Sequence, residues 1–255
     1  MIKLSANLGF LWPDRPLLDR VEAAAKAGFR GVELHWPYDV PPEQVADACK
    51  RKNLTLVAVN TPKGNRPEDF GLGAVLNRPR EFAASFQQAL QYARIAQASS
   101  IHVMAGVCPD TSETTATLVA NLRFAADAAP DKTLLLEPIN PRDRPGYFYH
   151  EIERAAEIIA LTGRPNLRLM FDVYHVSVGQ GDVLTRLKHF WELIGHIQIA
   201  AVPSRAEPDE GEINYRAIFA ALELSDYTGW IGCEYKPRSG TDDGLSWRQT
   251  LGVDI

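Results

Sequence analysis

The sequence predicts a single α/β domain, residues 1–255, folded as a closed (β/α)8 TIM barrel. Short β-branched or aliphatic runs alternate with longer amphipathic runs, at roughly 30-residue spacing, and this predicts a parallel sheet with helical connections. The pattern repeats eight times in 255 residues, a length typical of one such barrel. Neither GxGxxG after the first strand nor GxxxxGK[ST] occurs, which disfavours an open dinucleotide-binding or P-loop sheet.

The first four strand–helix units occupy the N-terminal half of the chain. A strand at 2–7 is followed by a helix at 17–27, which Asp14 and Pro16 start and Gly28 ends. The same alternation of short and long runs continues through this half. It predicts further strands at 31–35, 54–60 and 101–106, and further helices at 42–52, 80–98 and 113–129.

The last four units follow the same pattern. Their predicted strands are 133–138, 167–172, 195–200 and 230–235, and their helices are 150–162, 181–193, 215–224 and 243–252. The least regular stretch of the chain is 61–79, which is long and rich in glycine and proline. Because long loops in compact domains are often functional, we expect this stretch to be an active-site lid.

Composition restricts the classes of partner. The net charge is −5 and no dense cluster of Lys and Arg occurs, so neither nucleic acid nor a membrane surface is an expected partner. No stretch reaches the about 18 apolar residues that span a bilayer. The three cysteines, Cys49, Cys108 and Cys233, are far apart, so we expect reduced residues in a cytoplasmic protein. The oligomeric state stays open, with a homo-oligomer among the alternatives.

Polar residues stand at the ends of most predicted strands, where active sites lie in this fold. Glu33, His35 and Asn60 end the second and third strands. The last four strands end near Glu137, Asp172, Gln198 and Glu234. Converging carboxylates that follow apolar runs are costly unless a cation neutralises them. Since all four side chains offer oxygen, the pattern predicts a site for a divalent metal cation, Mg²⁺ or Mn²⁺ rather than zinc.

Each of these residues also has a simpler interpretation. A single carboxylate at the barrel rim could pair with Arg or Lys, but four oxygen side chains on consecutive strands are harder to attribute to chance. His175 is either a structural cap or a substrate contact, and we predict the contact. His102 and His196 lie inside strands and are predicted to be core or supporting residues. With only six histidines in the chain, a trinuclear zinc site of the endonuclease kind is disfavoured.

Five segments carry a resemblance to a known family. They are NTPKGN (60–65), IHVMAG (101–106), EPINPRDRPGYF (137–148), GHIQIAAVPSRAEPDEGEINY (195–215) and GCEYKPR (232–238). Along nearly its whole length the chain resembles the hydroxypyruvate isomerase family, within the xylose-isomerase-like barrel superfamily. The closely related 2-oxo-tetronate isomerases share these motifs. Related ketose 3-epimerases usually have His where this chain has Gln198, so an epimerase is the less favoured alternative.

The resemblance implies a metal-dependent aldose–ketose isomerase of a small 2-oxo acid, interconverting hydroxypyruvate and 2-hydroxy-3-oxopropanoate (tartronate semialdehyde). It implies that Glu137 and Glu234 are the catalytic pair, acting through an enediolate, and that Asp172 and Gln198 complete the metal site. Which glutamate removes the proton stays open, as does a hydride shift. Many bacterial members have His where this chain has Ala206, which leaves the choice of substrate open.

A 2-oxo acid needs a partner for its carboxylate, and basic residues near the strand ends are candidates. Arg205 and Lys236 follow the last two strands, and Arg66 in the expected lid is an alternative. Glu212 is expected to orient Arg205 or the metal ligands. The predicted substrate-binding residues are His35, Asn60, His175, Arg205, Glu212 and Lys236.

Overall fold

The computed structural model describes residues 2–253, which form a closed barrel of eight parallel strands in chain order, with the last strand paired to the first. The strands are β1 Leu4–Asn7, β2 Gly31–Leu34, β3 Thr55–Asn60, β4 Ser100–His102, β5 Thr133–Leu136, β6 Leu167–Asp172, β7 Ile194–Ile199 and β8 Ile231–Cys233. Each predicted strand is present, so the (β/α)8 prediction is confirmed.

Helices connect the strands, and α1 to α5 pack against one another in turn. The helices are α1 Leu17–Lys26, α2 Pro42–Arg51, α3 Pro79–Ile95, α4 Ser112–Ala128, α5 Ile152–Thr162, α6 Val173–Gly179, α7 Val183–His189, α8 Tyr215–Glu223, α9 Thr241–Gly244 and α10 Trp247–Leu251. The helix predicted at 181–193 is shorter and is followed by a 3-10 turn, Trp191–Leu193. The helix predicted at 243–252 is replaced by α9 and α10. Within residues 2–253, no helix is long and apolar enough to cross a membrane.

The helix α6 is absent from the sequence prediction. Its residues VYHVSVG are rich in valine, which has a modest helix propensity and resembles the end of a strand. The helix forms because Asp172 caps it: one carboxylate oxygen, Oδ1, accepts the backbone N–H groups of Tyr174 at 2.8 Å and His175 at 3.4 Å. This cap places His175 beside the end of β6.

Strand residues alternate between two environments. In β7, Ile197 and Ile199 belong to the main hydrophobic core, which also contains the buried faces of the helices. His196 and Gln198 point the other way, into the barrel. Gln198 contacts Glu33 of β2, a strand that is not a neighbour of β7, so these side chains cross the barrel interior. The interior is therefore polar at the level of these residues.

The segment expected to be a lid, here the 61–78 segment, forms one wall above the barrel. Gly71 pairs with Ala105 in an isolated antiparallel bridge, so the chain after β4 leaves the barrel to join this segment. This explains why the strand predicted at 101–106 ends early. Buried Arg78 holds the segment from its other end through two bonds to Asp69, at 2.5 and 2.8 Å.

Candidate active site and metal centre

The four predicted metal ligands meet at the carboxyl end of the barrel. Asp172 ends β6 and lies directly opposite Gln198 of β7 in the parallel register. Glu137 and Glu234 come directly after β5 and β8. All four side chains are buried, with at most 6% of each residue exposed. The carboxylates are close enough that Glu234 and Asp172 both repel charge on Glu137.

Three of these residues carry a buried oxygen that lacks a hydrogen-bond donor in the described part of the chain. The atoms are Asp172 Oδ2, Gln198 Oε1 and Glu234 Oε2. Leaving a buried acceptor unsatisfied costs about 1–3 kcal/mol, and more when it is charged. A divalent cation would satisfy all three, because carboxylate and amide oxygens are ligands that hard cations prefer. The residues present therefore fit Mg²⁺ or Mn²⁺.

Burial and mutual repulsion raise the pKa of two of the carboxyl groups. Burial is the main cause for Glu137, whose pKa lies well above its ordinary value, and Glu234 and Asp172 add repulsion. Burial, followed by Glu234, raises the pKa of Asp172 to about 7, although Arg205 opposes the shift. A cation that binds here displaces protons, so its affinity is expected to fall as the pH falls below about 7.

His175 lies beside the same oxygens. Its Nε2 atom is 3.7 Å from Glu137 Oε1 and 3.6 Å from Asp172 Oδ2, close enough for a three-residue metal site. However, Nδ1 faces two donors of Asn140, the backbone N–H at 3.3 Å and the side-chain amide at 2.6 Å. Nε2 also lies 3.4 Å from a guanidinium nitrogen of Arg205, which can only donate, and burial lowers the pKa of the ring, so the neutral imidazole faces donors at both nitrogens. His175 is therefore held beside the carboxylates by Asn140 on one side and Arg205 on the other.

Arg205 lies between the acidic residues. One guanidinium nitrogen, Nη1, donates to Asp143 Oδ2 at 3.0 Å. The other, Nη2, is 3.7 Å from Glu234 Oε2 and 3.9 Å from Asp172 Oδ2. Arg205 faces the pocket, as the sequence predicts, but its charge is balanced by three carboxylates.

Two more histidines support the catalytic candidates. His35 Nε2 lies 2.8 Å from Glu234 Oε1 and holds that carboxylate from the side of β2. His102 Nδ1 lies 3.5 Å from Glu137 Oε2. Burial, with a contribution from His35, lowers the pKa of His102 to about 3, so this ring is neutral. Each glutamate therefore has a histidine beside one oxygen.

A cavity of about 260 Å³ opens above these residues, a size suited to a small metabolite. Its wall includes His35, Asn60, Met104, Glu137, His175, Arg205 and Glu234. Trp36, Lys63, Phe70 and Arg144 also line this cavity. The 61–78 segment contributes Lys63 and Phe70, so the stretch expected to be a lid does line the cavity.

Two predicted substrate-binding residues do not reach this cavity. Lys236 is exposed, and its backbone N–H is bonded to the carbonyl of Arg205 at 2.7 Å. Glu212 is also exposed, and its backbone N–H is bonded to the carbonyl of Val202. The structure therefore does not bring these two side chains to the cavity wall.

Sequence reasoning overlooked Lys63 and Arg144. Both lie in segments that follow strands, β3 and β5, and both line the cavity. The rule that active sites form at the carboxyl ends of barrel strands applies to basic residues in these loops as well as to acids. A search of all strand-following loops for basic residues would have found both.

A layer of buried polar side chains lies beneath the four predicted metal ligands. Glu33 accepts a bond from Ser5 Oγ at 2.6 Å and one from Gln198 Nε2 at 2.9 Å, and His196 Nε2 is 3.1 Å away. Burial opposes ionisation of Glu33, but these partners outweigh it and lower its pKa. Because the amide nitrogen of Gln198 donates to Glu33, the amide oxygen is left without a hydrogen-bond partner in the described residues and is free for the predicted cation. A Cβ at Gly232 would lie 2.1 Å from Glu33 Oε1, so this position requires glycine.

Replacing Glu33 by glutamine is expected to weaken Mn²⁺ binding by about 10- to 100-fold, because Gln198 loses the partner that orients it. Breaking this buried cluster should also cost about 3 kcal/mol of unfolding free energy. Calorimetric titration and thermal melts measure the two effects. A matched control is Glu207→Gln, which breaks the ion pair between the buried Glu207 and the exposed Arg238, at 3.0 Å. The control should lose stability but keep its Mn²⁺ affinity, and equal weakening in both variants would contradict the orienting role.

A closed (β/α)8 barrel with a buried, carboxylate-rich cavity at the carboxyl ends of its strands defines the class of barrel enzymes. Comparison with known proteins narrows this class. The family model described as "Xylose isomerase-like TIM barrel" matches residues 21–251. The match covers most of the barrel, including all four predicted metal ligands.

Individual relatives agree with the family model. The chain is 42% identical to a 2-oxo-tetronate isomerase of Cupriavidus necator, over 97% of each chain. It is 38% identical to the hydroxypyruvate isomerase of Escherichia coli, over 97% of this chain and 98% of the relative. A crystal structure from Brucella melitensis, titled as an AP endonuclease of family 2, superposes with a TM-score of 0.93 at 37% identity and covers 98% of this chain and 99% of its own. The chain belongs to the hydroxypyruvate isomerase family of xylose isomerase-like barrels, and it is an isomerase.

Proposed function

We propose that the chain is a divalent-cation-dependent isomerase that interconverts the ketose and aldose forms of a small 2-oxo acid. Hydroxypyruvate and 2-hydroxy-3-oxopropanoate form the pair that we favour. The observation that carries the proposal is the placement of two buried glutamates, Glu137 and Glu234, on one small cavity. They follow β5 and β8, which lie three strands apart around the barrel.

The reaction needs two proton transfers at adjacent carbons. In hydroxypyruvate, a proton leaves the hydroxymethyl carbon, an enediolate forms, and a proton returns to the neighbouring carbon that was the ketone. The hydroxyl proton passes from the terminal oxygen to the former ketone oxygen, so that the terminal carbon becomes the aldehyde. Carboxylates held in place are effective for such transfers. Glu137 and Glu234 reach the cavity from different strands, so one can remove the proton and the other can deliver it. His35 is hydrogen-bonded to Glu234 and holds that carboxylate in position, and His102 lies 3.5 Å from Glu137.

The cation site supplies the remaining chemistry. Glu137, Asp172, Gln198 and Glu234 would hold Mg²⁺ or Mn²⁺, and three of them carry a buried oxygen without a hydrogen-bond partner in the described part of the chain. Such a cation, when bound, stabilises the negative charge that develops on substrate oxygen. Arg205 adds a fixed positive charge beside the site, since its Nη2 atom lies near both Asp172 and Glu234.

A second candidate substrate is a 2-oxo-tetronate. It is favoured by the name of the Cupriavidus necator relative, which is 42% identical to this chain. The chemistry is the same, because a 2-oxo-tetronate carries the same arrangement of carboxylate and ketone with one more carbon. The two substrates therefore share one proposed mechanism. A ketose 3-epimerase is the less favoured alternative.

A substrate panel tests the proposal. Hydroxypyruvate, a 2-oxo-tetronate and a neutral ketohexose are incubated with the protein and Mg²⁺ or Mn²⁺, and the products are followed by nuclear magnetic resonance. We expect kcat/KM for one of the two acids to exceed kcat/KM for the ketohexose by at least about 100-fold. A site whose polar groups match one substrate and not another discriminates at least this strongly. Faster conversion of the ketohexose at its third carbon would instead assign the chain to the epimerases.

A further inference from the structure

Two basic residues that line the cavity, Lys63 and Arg144, lack an acidic partner in the described part of the chain. Lys63 Nζ lies 3.8 Å from the centroid of the Trp36 ring, and the Arg144 guanidinium lies 3.8 Å from that of Phe70. In the described part of the chain, neither forms an ion pair with a carboxylate. Partial burial, and then repulsion from Arg144, lower the pKa of Lys63. The positive charge on this side of the cavity is therefore unbalanced.

Asp143, the acid that precedes Arg144 in the chain, is bonded to other residues. Asp143 accepts a bond from Arg205 at 3.0 Å through one oxygen and from the Tyr174 hydroxyl at 3.1 Å through the other. Arg205 is balanced by Asp143 together with the carboxylates of the metal site. An incoming anion thus meets uncompensated positive charge at Lys63 and Arg144 rather than at Arg205.

We propose that Lys63 and Arg144 form a subsite for the carboxylate of a 2-oxo acid, and that this pair selects acids over neutral sugars of similar size. The proposal rests on the proposed function, which supplies the class of substrate. A guanidinium stacked on an aromatic ring keeps its edge N–H groups free for a bidentate carboxylate. Lys63, held on Trp36, adds a second charge. An acid anchored here can place its other end toward Glu137 and Glu234, which line the same cavity.

The subsite is tested by equilibrium binding, which needs no turnover. The variants Lys63→Gln and Arg144→Gln are titrated with D-glycerate, a three-carbon acid without a carbonyl group, in the presence of Mg²⁺. Matched controls are Lys50→Gln and Arg80→Gln, which remove exposed cations of α2 and α3. Neither control residue lines the cavity. Circular dichroism verifies that each variant is folded.

We expect each subsite variant to bind D-glycerate about 10- to 100-fold more weakly, the scale of a lost hydrogen bond to a charged group. The controls should stay within about threefold, and Lys63→Arg should restore most of the affinity. For hydroxypyruvate, KM should rise by a similar factor while kcat changes little, because the subsite binds ground state and transition state alike.

Three results would overturn the subsite: unchanged glycerate affinity in both variants, equal loss in the controls, or no glycerate binding by the unaltered protein. Failure of the proposed function is a separate outcome. If no 2-oxo acid is isomerised, that function is wrong, whereas the glycerate titration still decides whether the cation pair binds carboxylates.

Discussion

Replacing Glu234 by glutamine is expected to lower kcat for hydroxypyruvate by about 10²- to 10⁴-fold, the usual contribution of a general acid or base. The amide has nearly the same size and can still accept a bond from His35, so the barrel should remain folded. It cannot take up a proton, however, and it is a weaker metal ligand than a carboxylate. Turnover is measured with saturating Mn²⁺, so that weaker metal binding does not limit the rate.

An exposed glutamate provides the control for this substitution. Glu223 ends α8 and is exposed to solvent, so Glu223→Gln removes the same charge without touching the site. It should keep full activity and the same melting temperature. Glu137→Gln should behave like Glu234→Gln, because both carboxylates are assigned to proton transfer. Turnover within tenfold of the unaltered enzyme in either active-site variant, with metal bound, would contradict the assigned pair.

Exhaustive chelation is expected to reduce activity to below about 1%, because a cation at this site would stabilise the charge on the proposed enediolate. The melting temperature should fall as well, since the metal-free site leaves three buried acceptors unsatisfied and its carboxylates repelling one another. At a concentration 100 times its dissociation constant, a bound ion stabilises the folded state by about 2.7 kcal/mol. Activity assays and thermal melts before and after chelation measure both effects.

Adding back Mg²⁺ or Mn²⁺ should restore activity and melting temperature together. Ca²⁺ is a useful comparison, because it is larger and takes more ligands than these four residues offer. Full activity in protein that elemental analysis shows to be free of metal would mean that the glutamates act without a cation.

The barrel and its strand-end residues could be predicted because both follow from simple periodicities. Successive side chains of a strand point to opposite sides. Because the apolar neighbours of Asp172 and Gln198 face the helices, Asp172 and Gln198 point into the barrel. The short helix α6 was not predictable in this way. Its valines favour a strand, and only the capping bonds from Asp172 to Tyr174 and His175 show why a helix begins there.

Other features depend on contacts between segments that are distant in the chain. Lys63 and Arg144 lie on the rings of Trp36 and Phe70, and no local pattern predicts that these four side chains meet. The orientation of the His175 ring likewise depends on Asn140, 35 residues away. By contrast, Lys236 looked suitable because it follows a strand, but its exposed side chain lies outside the cavity.

Calorimetric titration of Mn²⁺ into the metal-free protein tests the cation site most directly. We expect one ion to bind per chain, with release of protons near pH 7, because the pKa of Asp172 is raised to about 7. Asp172→Asn, which keeps the size of the side chain, should weaken Mn²⁺ binding by at least about 100-fold. Loss of a residue that only supports a metal ligand already weakens metal binding by up to about 100-fold. No binding by the unaltered protein, or equal affinity in Asp172→Asn, would contradict the assignment of these residues to a metal site.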